Sequence, residues 1–273
     1  MEAVQVQMLE RPEGKIGYEV TGEGPLVVCL PGMGELRSSY RFTVPALVEA
    51  RLRVAALDLR GHGDSEATFA SYDDVAAAGD ALALIERLGG GPAVLVGNSM
   101  GAGAAVWAAA ERPDLVAGVA LIGPFVRNPR INPLMQFAFR AAMSGPWAAR
   151  TWLSYLPRLY PDHRPSDFPA HVERIRESMR RPGHLKAFVA TTRTSHAPAE
   201  QRLAEVTGRP ALVVMGAKDP DFPDAPAEAE WIRDRLGAEL IVVPGAGHYP
   251  HVEFPDVVNP ALVRFCQGVT AVA

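Results

Sequence analysis

The stretch LVGNSMGAGAA, residues 95–105, places one serine between two glycines, with an apolar run before it and an alanine-rich run after it. Within it, the residues from Gly97 to Gly101 match the pattern G-x-S-x-G. Between a strand and a helix, this pattern forms a turn so tight that the residues flanking the serine must lack bulk. The stretch predicts an exposed, nucleophilic Ser99 at the carboxyl end of a strand, although an ordinary strand–helix turn has the same pattern.

Short apolar runs alternate with helical patterns on both sides of this turn. The runs from residue 25 onward are continuously apolar, as in strands buried on both faces of a parallel sheet. The alternation predicts a doubly wound, mostly parallel α/β sheet. The predicted strands are 3–9, 15–21, 25–30, 53–58, 93–97, 116–122, 211–216 and 239–243, and the predicted helices are 40–50, 72–88, 100–111, 226–236 and 256–267.

One interval, residues 124–200, has no strand pattern and is rich in Arg, Pro and aromatic residues. We expect it to be a helical cap inserted into a core made of residues 1–123 and 201–273. Apolar residues recur there at roughly helical spacing and form either the core of the cap or an apolar pocket wall. They are Met135, Phe139, Met143, Trp147, Trp152 and Tyr155, whereas the histidines at 163, 171, 184 and 196 are expected to be solvated.

Composition excludes several function classes. The formal charge of −4 over 273 residues gives no electrostatic reason to expect nucleic acid or an anionic membrane surface. No apolar stretch is long enough to span a bilayer, and the first residues lack a signal-peptide pattern. Cys29 and Cys266 are too far apart in sequence for a metal site and are interpreted as free thiols, so we expect a cytoplasmic protein. We expect no metal and no organic cofactor.

A serine nucleophile needs a base and a residue that orients the base, and both are found after late strands. The run ALVVMGAKDPDFP, 211–223, brings Asp219 just past a predicted strand, and IVVPGAGHYPHVEFP, 241–255, brings His248 past the next one. The carboxyl ends of parallel strands are where such sheets bind ligands. The sequence therefore predicts a catalytic triad of Ser99, Asp219 and His248.

Other residues could fill the same roles. Asp221 and Asp224 share the loop of Asp219 and stay open as the acid, while His251 is the weaker choice of base. The segment after the sixth strand, GPFVRNPR, offers no carboxylate. For the oxyanion hole, backbone N–H groups suffice, and we expect those of Met100 and of Met33 in the glycine-containing loop CLPGMGELRSS.

Together, these motifs resemble those of the α/β-hydrolase superfamily over essentially the whole chain. LPGMG, 30–34, looks like the oxyanion loop of that family, DLRGHGDS, 58–65, like its turn after the next strand, and GNSMG like its nucleophile elbow. The resemblance implies a lid where the helical cap is expected. Pro31 stands where the family usually has His, so the loop is braced differently, and His62 is interpreted as structural packing.

The resemblance implies acyl transfer, because family members that displace at carbon use Asp, and a serine there would leave a stable ether. We expect hydrolysis of a carboxylic ester or lactone of a small to medium apolar substrate, with kcat/KM falling as His248 protonates near or below neutral pH. Three alternatives stay open: a carbon–carbon bond hydrolase, a cofactor-free perhydrolase and a slow-turnover ligand receptor. Asn98 favours the carbon–carbon bond hydrolase, but Tyr249 does not, because those enzymes usually have a Trp after the catalytic His.

Overall fold

A computed structural model describes residues 5–129 and 132–271. Its centre is an eight-stranded sheet with the order β1-β2-β4-β3-β5-β6-β7-β8. Each predicted strand is present, although the first begins at Gln7 and the predicted residues before 5 lie outside the described residues. The strands are β1 Gln7–Arg11, β2 Gly14–Thr21, β3 Leu26–Leu30, β4 Arg53–Leu57, β5 Ala93–Asn98, β6 Val116–Ile122, β7 Ala211–Gly216 and β8 Glu239–Val243.

The sheet is antiparallel at one edge and parallel elsewhere. β2 pairs antiparallel with β1 and with β4, and all pairs from β4 to β8 are parallel. The central strands β3, β5 and β7 are buried at every residue, as their continuous apolar runs predict. Because the parallel strands share a direction, the loops after β3, β5, β7 and β8 meet at one edge of the sheet.

Helices cover both faces of the sheet. One face packs against α2 Asp74–Leu88, α3 Met100–Glu111, α8 Ala197–Val206 and α9 Ala225–Leu236, and the other against α1 Thr43–Glu49 and α11 Pro255–Thr270. The short helix α10 is Pro250–Glu253. Aspartate side chains cap the N-termini of α2 and α9. Asp73 accepts a hydrogen bond from the N–H of Ala76, and Asp224 accepts one from the N–H of Ala227. The doubly wound fold is therefore confirmed.

Between β6 and β7, the described residues form helices and no strand. They are α4 Pro133–Ala142, α5 Ala148–Tyr155, α6 Phe168–Arg180, α7 His184–Thr191 and α8. Helices α5, α6 and α7 contribute to a separate apolar cluster that includes Trp152, Ile175 and Phe188. Helix α8 crosses the expected boundary at 200, and its buried side chains pack in the core cluster beneath α3. The division into core and cap stays a prediction.

The expectation that the four histidines of this segment are solvated is wrong for two of them. His171 and His184 are buried rather than solvated. His171 Nε2 lies 2.8 Å from the Glu35 carboxylate, and His184, the first residue of α7, has its Nδ1 3.5 Å from Ser178 Oγ on α6. His163 is exposed and His196 is partly exposed. Elsewhere, Cys29 and Cys266 are buried free thiols, as expected. No helix within the described ranges has both the length and the apolar character needed to cross a bilayer.

Candidate active site

Ser99 occupies the turn between β5 and α3 with a backbone that few non-glycine residues adopt. Its φ is 57° and its ψ is −121°, a strained conformation of the kind found at functional sites. A Cβ on Gly97 would collide with the carbonyl oxygen of Gly101, and a Cβ on Gly101 would collide with that of Leu30. Both glycines are therefore required, and the turn has the geometry that the pattern G-x-S-x-G predicts.

Asp219 and His248 meet at the carboxyl edge of the sheet. Asp219 follows β7 and His248 follows β8, and His248 Nδ1 lies 2.7 Å from Asp219 Oδ2. Both side chains are buried. With Nδ1 held by the carboxylate, Nε2 is the nitrogen left for proton transfer. His248 and Ser99 line the same cavity, although no hydrogen bond joins their side chains within the described residues.

The charges around His248 favour its protonated form. Burial alone would lower the pKa of His248, but the nearby Asp219 carboxylate, its hydrogen bond and the Asp221 carboxylate outweigh burial and raise that pKa to about 9. Glu253 contributes in the same direction. A rate that depends on neutral His248 is therefore expected to fall at a higher pH than the near-neutral range expected from the sequence.

The three carboxylates on the loop after β7 have different contacts. Asp224 caps α9 through the N–H of Ala227 at 3.0 Å and makes no contact with His248 in the described structure. Asp221 Oδ2 lies 3.8 Å from His248 Nδ1, too far for a hydrogen bond, while its Oδ1 accepts one from the Tyr155 hydroxyl at 2.5 Å. Asp219 alone has hydrogen-bonding distance to the imidazole.

The loop after β3 lies directly against Ser99. A Cβ built on Gly32 would be 2.8 Å from Ser99 Cβ, and Met33 and Met100 line the cavity beside the serine. Within the described residues, neither the N–H of Met33 nor that of Met100 donates a hydrogen bond to another residue. Both groups are thus available as donors at this place.

Gly34 is fixed by two side chains from distant parts of the chain. Its N–H donates to His62 Nε2 at 3.2 Å, and its carbonyl accepts from Trp152 Nε1 at 3.3 Å. His62 Nδ1 lies 3.0 Å from the Arg60 carbonyl, and burial lowers the pKa of His62, which keeps the ring neutral. These contacts hold the loop that contains Pro31 in place, so His62 fixes this loop through a hydrogen bond in addition to packing.

Asn98 has a positioning role that sequence reasoning missed. Its buried Nδ2 donates to the Ile122 carbonyl at 3.0 Å and to the His248 carbonyl at 3.3 Å. The amide thereby ties the histidine loop to the turn of Ser99. Its role could have been suspected from the sequence, because Asn98 is a polar residue at the end of an otherwise apolar run. His251, the rival base, is buried, and burial lowers its pKa to about 3.

A cavity of about 610 Å³ opens above Ser99. Its apolar lining includes Phe125, Phe139, Met143 and Trp152, so the expected apolar wall is present in part. Trp147 is 55% exposed and outside the cavity lining. The side chain of Met135 lies outside the described residues.

Asp219, Asp221 and His248 could also be considered as metal ligands, since their donor atoms lie within 4.8 Å of one another. Two ligands on a tetrahedral zinc with bonds of 2.0–2.1 Å are about 3.3 Å apart. The 2.7 Å between His248 Nδ1 and Asp219 Oδ2 is instead a hydrogen-bond distance. The three side chains fit an acid–base pair with a second carboxylate better than a metal centre.

Comparison with known proteins places this geometry in a family. Residues 27–261 match the family model described as "Alpha/beta hydrolase family". The chain belongs to this family. Named hydrolases are among its relatives, which supports a hydrolase activity, and the alpha/beta hydrolase fold expected from the motifs is confirmed.

Relatives of this alpha/beta hydrolase carry different activities. It is 31% identical to 2-(acetamidomethylene)succinate hydrolase of Mesorhizobium japonicum, over 89% of this chain and 88% of that protein. It is 26% identical to epoxide hydrolase A of Mycobacterium tuberculosis, over 90% and 91% of the two chains. A malate-bound structure of a thermophilic esterase from Thermogutta terrifontis superposes with a TM-score of 0.75 at 25% identity, covering 97% and 99%. The family therefore leaves the reaction to be argued from the site.

Proposed function

We propose that this hydrolase cleaves a carboxylic ester or lactone through an acyl-enzyme formed on Ser99. The observation that carries the proposal is the 2.7 Å pair of His248 Nδ1 and Asp219 Oδ2, together with a serine on a strained turn that lines the same cavity as His248. A serine, a base and a residue that orients the base are the parts that acyl transfer needs.

In the proposed reaction, Ser99 Oγ attacks the ester carbonyl and His248 Nε2 accepts the hydroxyl proton. Asp219 holds the imidazole and stabilises its charged form. The N–H groups of Met33 and Met100 bind the oxyanion of the tetrahedral intermediate. His248 then protonates the leaving alcohol, and a water molecule, deprotonated by His248, hydrolyses the acyl-enzyme.

The nucleophile supports ester cleavage over displacement at carbon. Opening an epoxide or displacing a halide with Ser99 would leave an ether, which water does not cleave under these conditions. An acyl-serine has a carbonyl that water attacks readily. The identity of residue 99 therefore favours acyl transfer over the epoxide chemistry of the M. tuberculosis relative.

The open alternatives gain no support from the site. Asn98 does not line the cavity and donates to two carbonyls, so it gives no reason to favour carbon–carbon bond hydrolysis. We propose further that residues 124–200 act as a lid, since this segment supplies cavity residues and the Trp152 and Tyr155 contacts to the two catalytic loops.

The test is hydrolysis of p-nitrophenyl acetate, butyrate and octanoate by the wild type and by Ser99→Ala. We expect nitrophenol release by the wild type and none above background by the variant, with an acyl adduct on the Ser99 peptide in mass spectra of quenched reactions. Equal turnover by a folded Ser99→Ala would rule out the acyl-enzyme route.

A further inference from the structure

Three arginines line the cavity that contains Ser99. They are Arg140, Arg158 and Arg193, and none of them makes an ion pair with any residue that the structure describes. They come from three separate elements: the last turn of α4, the short helical turn Leu156–Leu159, and the loop after α7. Three arginine side chains that make no ion pair in the described structure, each exposed to solvent, thus lie along one cavity.

The segment that supplies them is strongly basic. Residues 124–200 contain 12 Lys and Arg against 5 Asp and Glu, a formal charge of +7, whereas the whole chain has −4. The rest of the chain therefore has −11. The negative charge of the whole protein thus coexists with a basic segment, and three of the twelve cations of that segment line the cavity.

The two carboxylates nearest the catalytic histidine already have partners. Asp219, which does not line the cavity, is hydrogen-bonded to His248, and Asp221, which does, accepts a hydrogen bond from the Tyr155 hydroxyl and lies beside the same imidazole. Neither carboxylate forms an ion pair with the three arginines within the described residues. The cavity therefore keeps an excess of positive charge beside its apolar lining.

A guanidinium group binds a carboxylate through paired N–H donors, and it does so more selectively than it binds neutral groups. We propose that the substrate carries a carboxylate, separate from the ester that Ser99 attacks, which is bound by one or more of Arg140, Arg158 and Arg193. The apolar lining takes the carbon chain between the two ends. This inference rests on the proposed function of the site and narrows its substrate class.

A matched pair of substrates tests it. p-Nitrophenyl hexanoate and mono-p-nitrophenyl adipate have acyl chains of equal carbon number and differ by a terminal methyl or carboxylate group. Both are measured with the wild type and with Arg140→Gln, Arg158→Gln and Arg193→Gln. Arg150→Gln is the control, because Arg150 is exposed on α5 of the same segment but lines a different cavity.

We expect the wild type to prefer the adipate ester by about tenfold or more in kcat/KM, since a charge-assisted pair contributes about that factor. At least one cavity variant loses this preference through a higher KM, with hexanoate unchanged, whereas Arg150→Gln behaves as wild type. Equal rates on both esters, or a preference that survives all three substitutions, would overturn the inference.

A binding experiment separates this inference from the catalytic proposal. Adipate dianion is titrated calorimetrically into Ser99→Ala and into the same protein with each arginine substitution. Binding to Ser99→Ala that weakens in at least one double variant supports the carboxylate site even if no ester is turned over. Absence of binding, together with Ser99-dependent hydrolysis of hexanoate, would retain the esterase and reject the carboxylate site.

Discussion

The Asp221→Asn substitution should make the enzyme more active at neutral pH, although it removes a carboxylate from the active site. The proposed base must be neutral to act, and the surrounding carboxylates raise the pKa of His248 to about 9. Since this folded-state pKa is raised, activity increases as the pH rises through it. Removing the charge of Asp221 lowers the pKa of His248 and moves the acid limb of kcat/KM to lower pH.

The size of the shift follows from the geometry. Unit charges 3.8 Å apart, the distance from Asp221 Oδ2 to His248 Nδ1, interact by about 1 kcal/mol in water and about 4 kcal/mol at an effective dielectric constant of 20. The Asp221 side chain is 22% exposed, so we take a value of about 1–2 kcal/mol. One pKa unit corresponds to about 1.4 kcal/mol, which gives a shift of about one pH unit.

The assay is kcat/KM for p-nitrophenyl butyrate between pH 5 and pH 10. Asparagine keeps an oxygen to accept the Tyr155 hydroxyl, so the loop should stay in place. Asp224→Asn is the matched control: it lies on the same loop, caps α9 as well as aspartate does and does not contact His248 in the described structure. The reasoning would be refuted if the acid limb of kcat/KM had the same pH midpoint in Asp221→Asn as in the wild type, or if it shifted equally in Asp224→Asn.

Three other substitutions test the remaining contacts. Asp219→Asn should lower kcat by about 10⁴-fold with KM little changed, because the imidazole loses its orienting carboxylate; a loss below tenfold would contradict the assignment. Trp152→Phe removes the donor to the Gly34 carbonyl and should lower kcat about fivefold at constant KM, whereas an effect on KM alone would argue against a braced oxyanion loop. Asn98→Ala leaves the His248 carbonyl without its donor, while the Ile122 carbonyl keeps the Ser99 N–H, and should lower the free energy of unfolding by about 1–3 kcal/mol in urea titrations; an unchanged value would speak against that role.

Much of the fold is predictable because its signals are local. Continuous apolar runs locate strands such as Leu26–Leu30 and Ala211–Gly216 to within a residue or two. The positions of Asp219 and His248 after two such strands place them at one edge of the sheet, and the structure brings them to 2.7 Å. Parallel strands align their carboxyl ends, so sequence position translates directly into proximity.

The contacts that brace the site depend on residues far apart in the chain. His171 is buried because Glu35, 136 residues earlier, accepts from its ring, and no periodicity in either segment reports such a pair. The same holds for Trp152 and Gly34, separated by 118 residues. Whether His171 is buried, and which group Trp152 contacts, depends on how the inserted segment packs on the rest of the protein. The sequence pattern of the segment does not report this packing.

Helix α5 has a consequence for building chimaeras. Trp152 and Tyr155, one turn apart on this helix, contact Gly34 on the loop after β3 and Asp221 on the loop after β7. Replacing residues 124–200 with the equivalent segment of another family member would exchange the substrate-facing wall and both of these attachments in a single step. A graft intended to change selectivity while keeping turnover must therefore carry an indole donor and a phenol donor at this spacing of three residues.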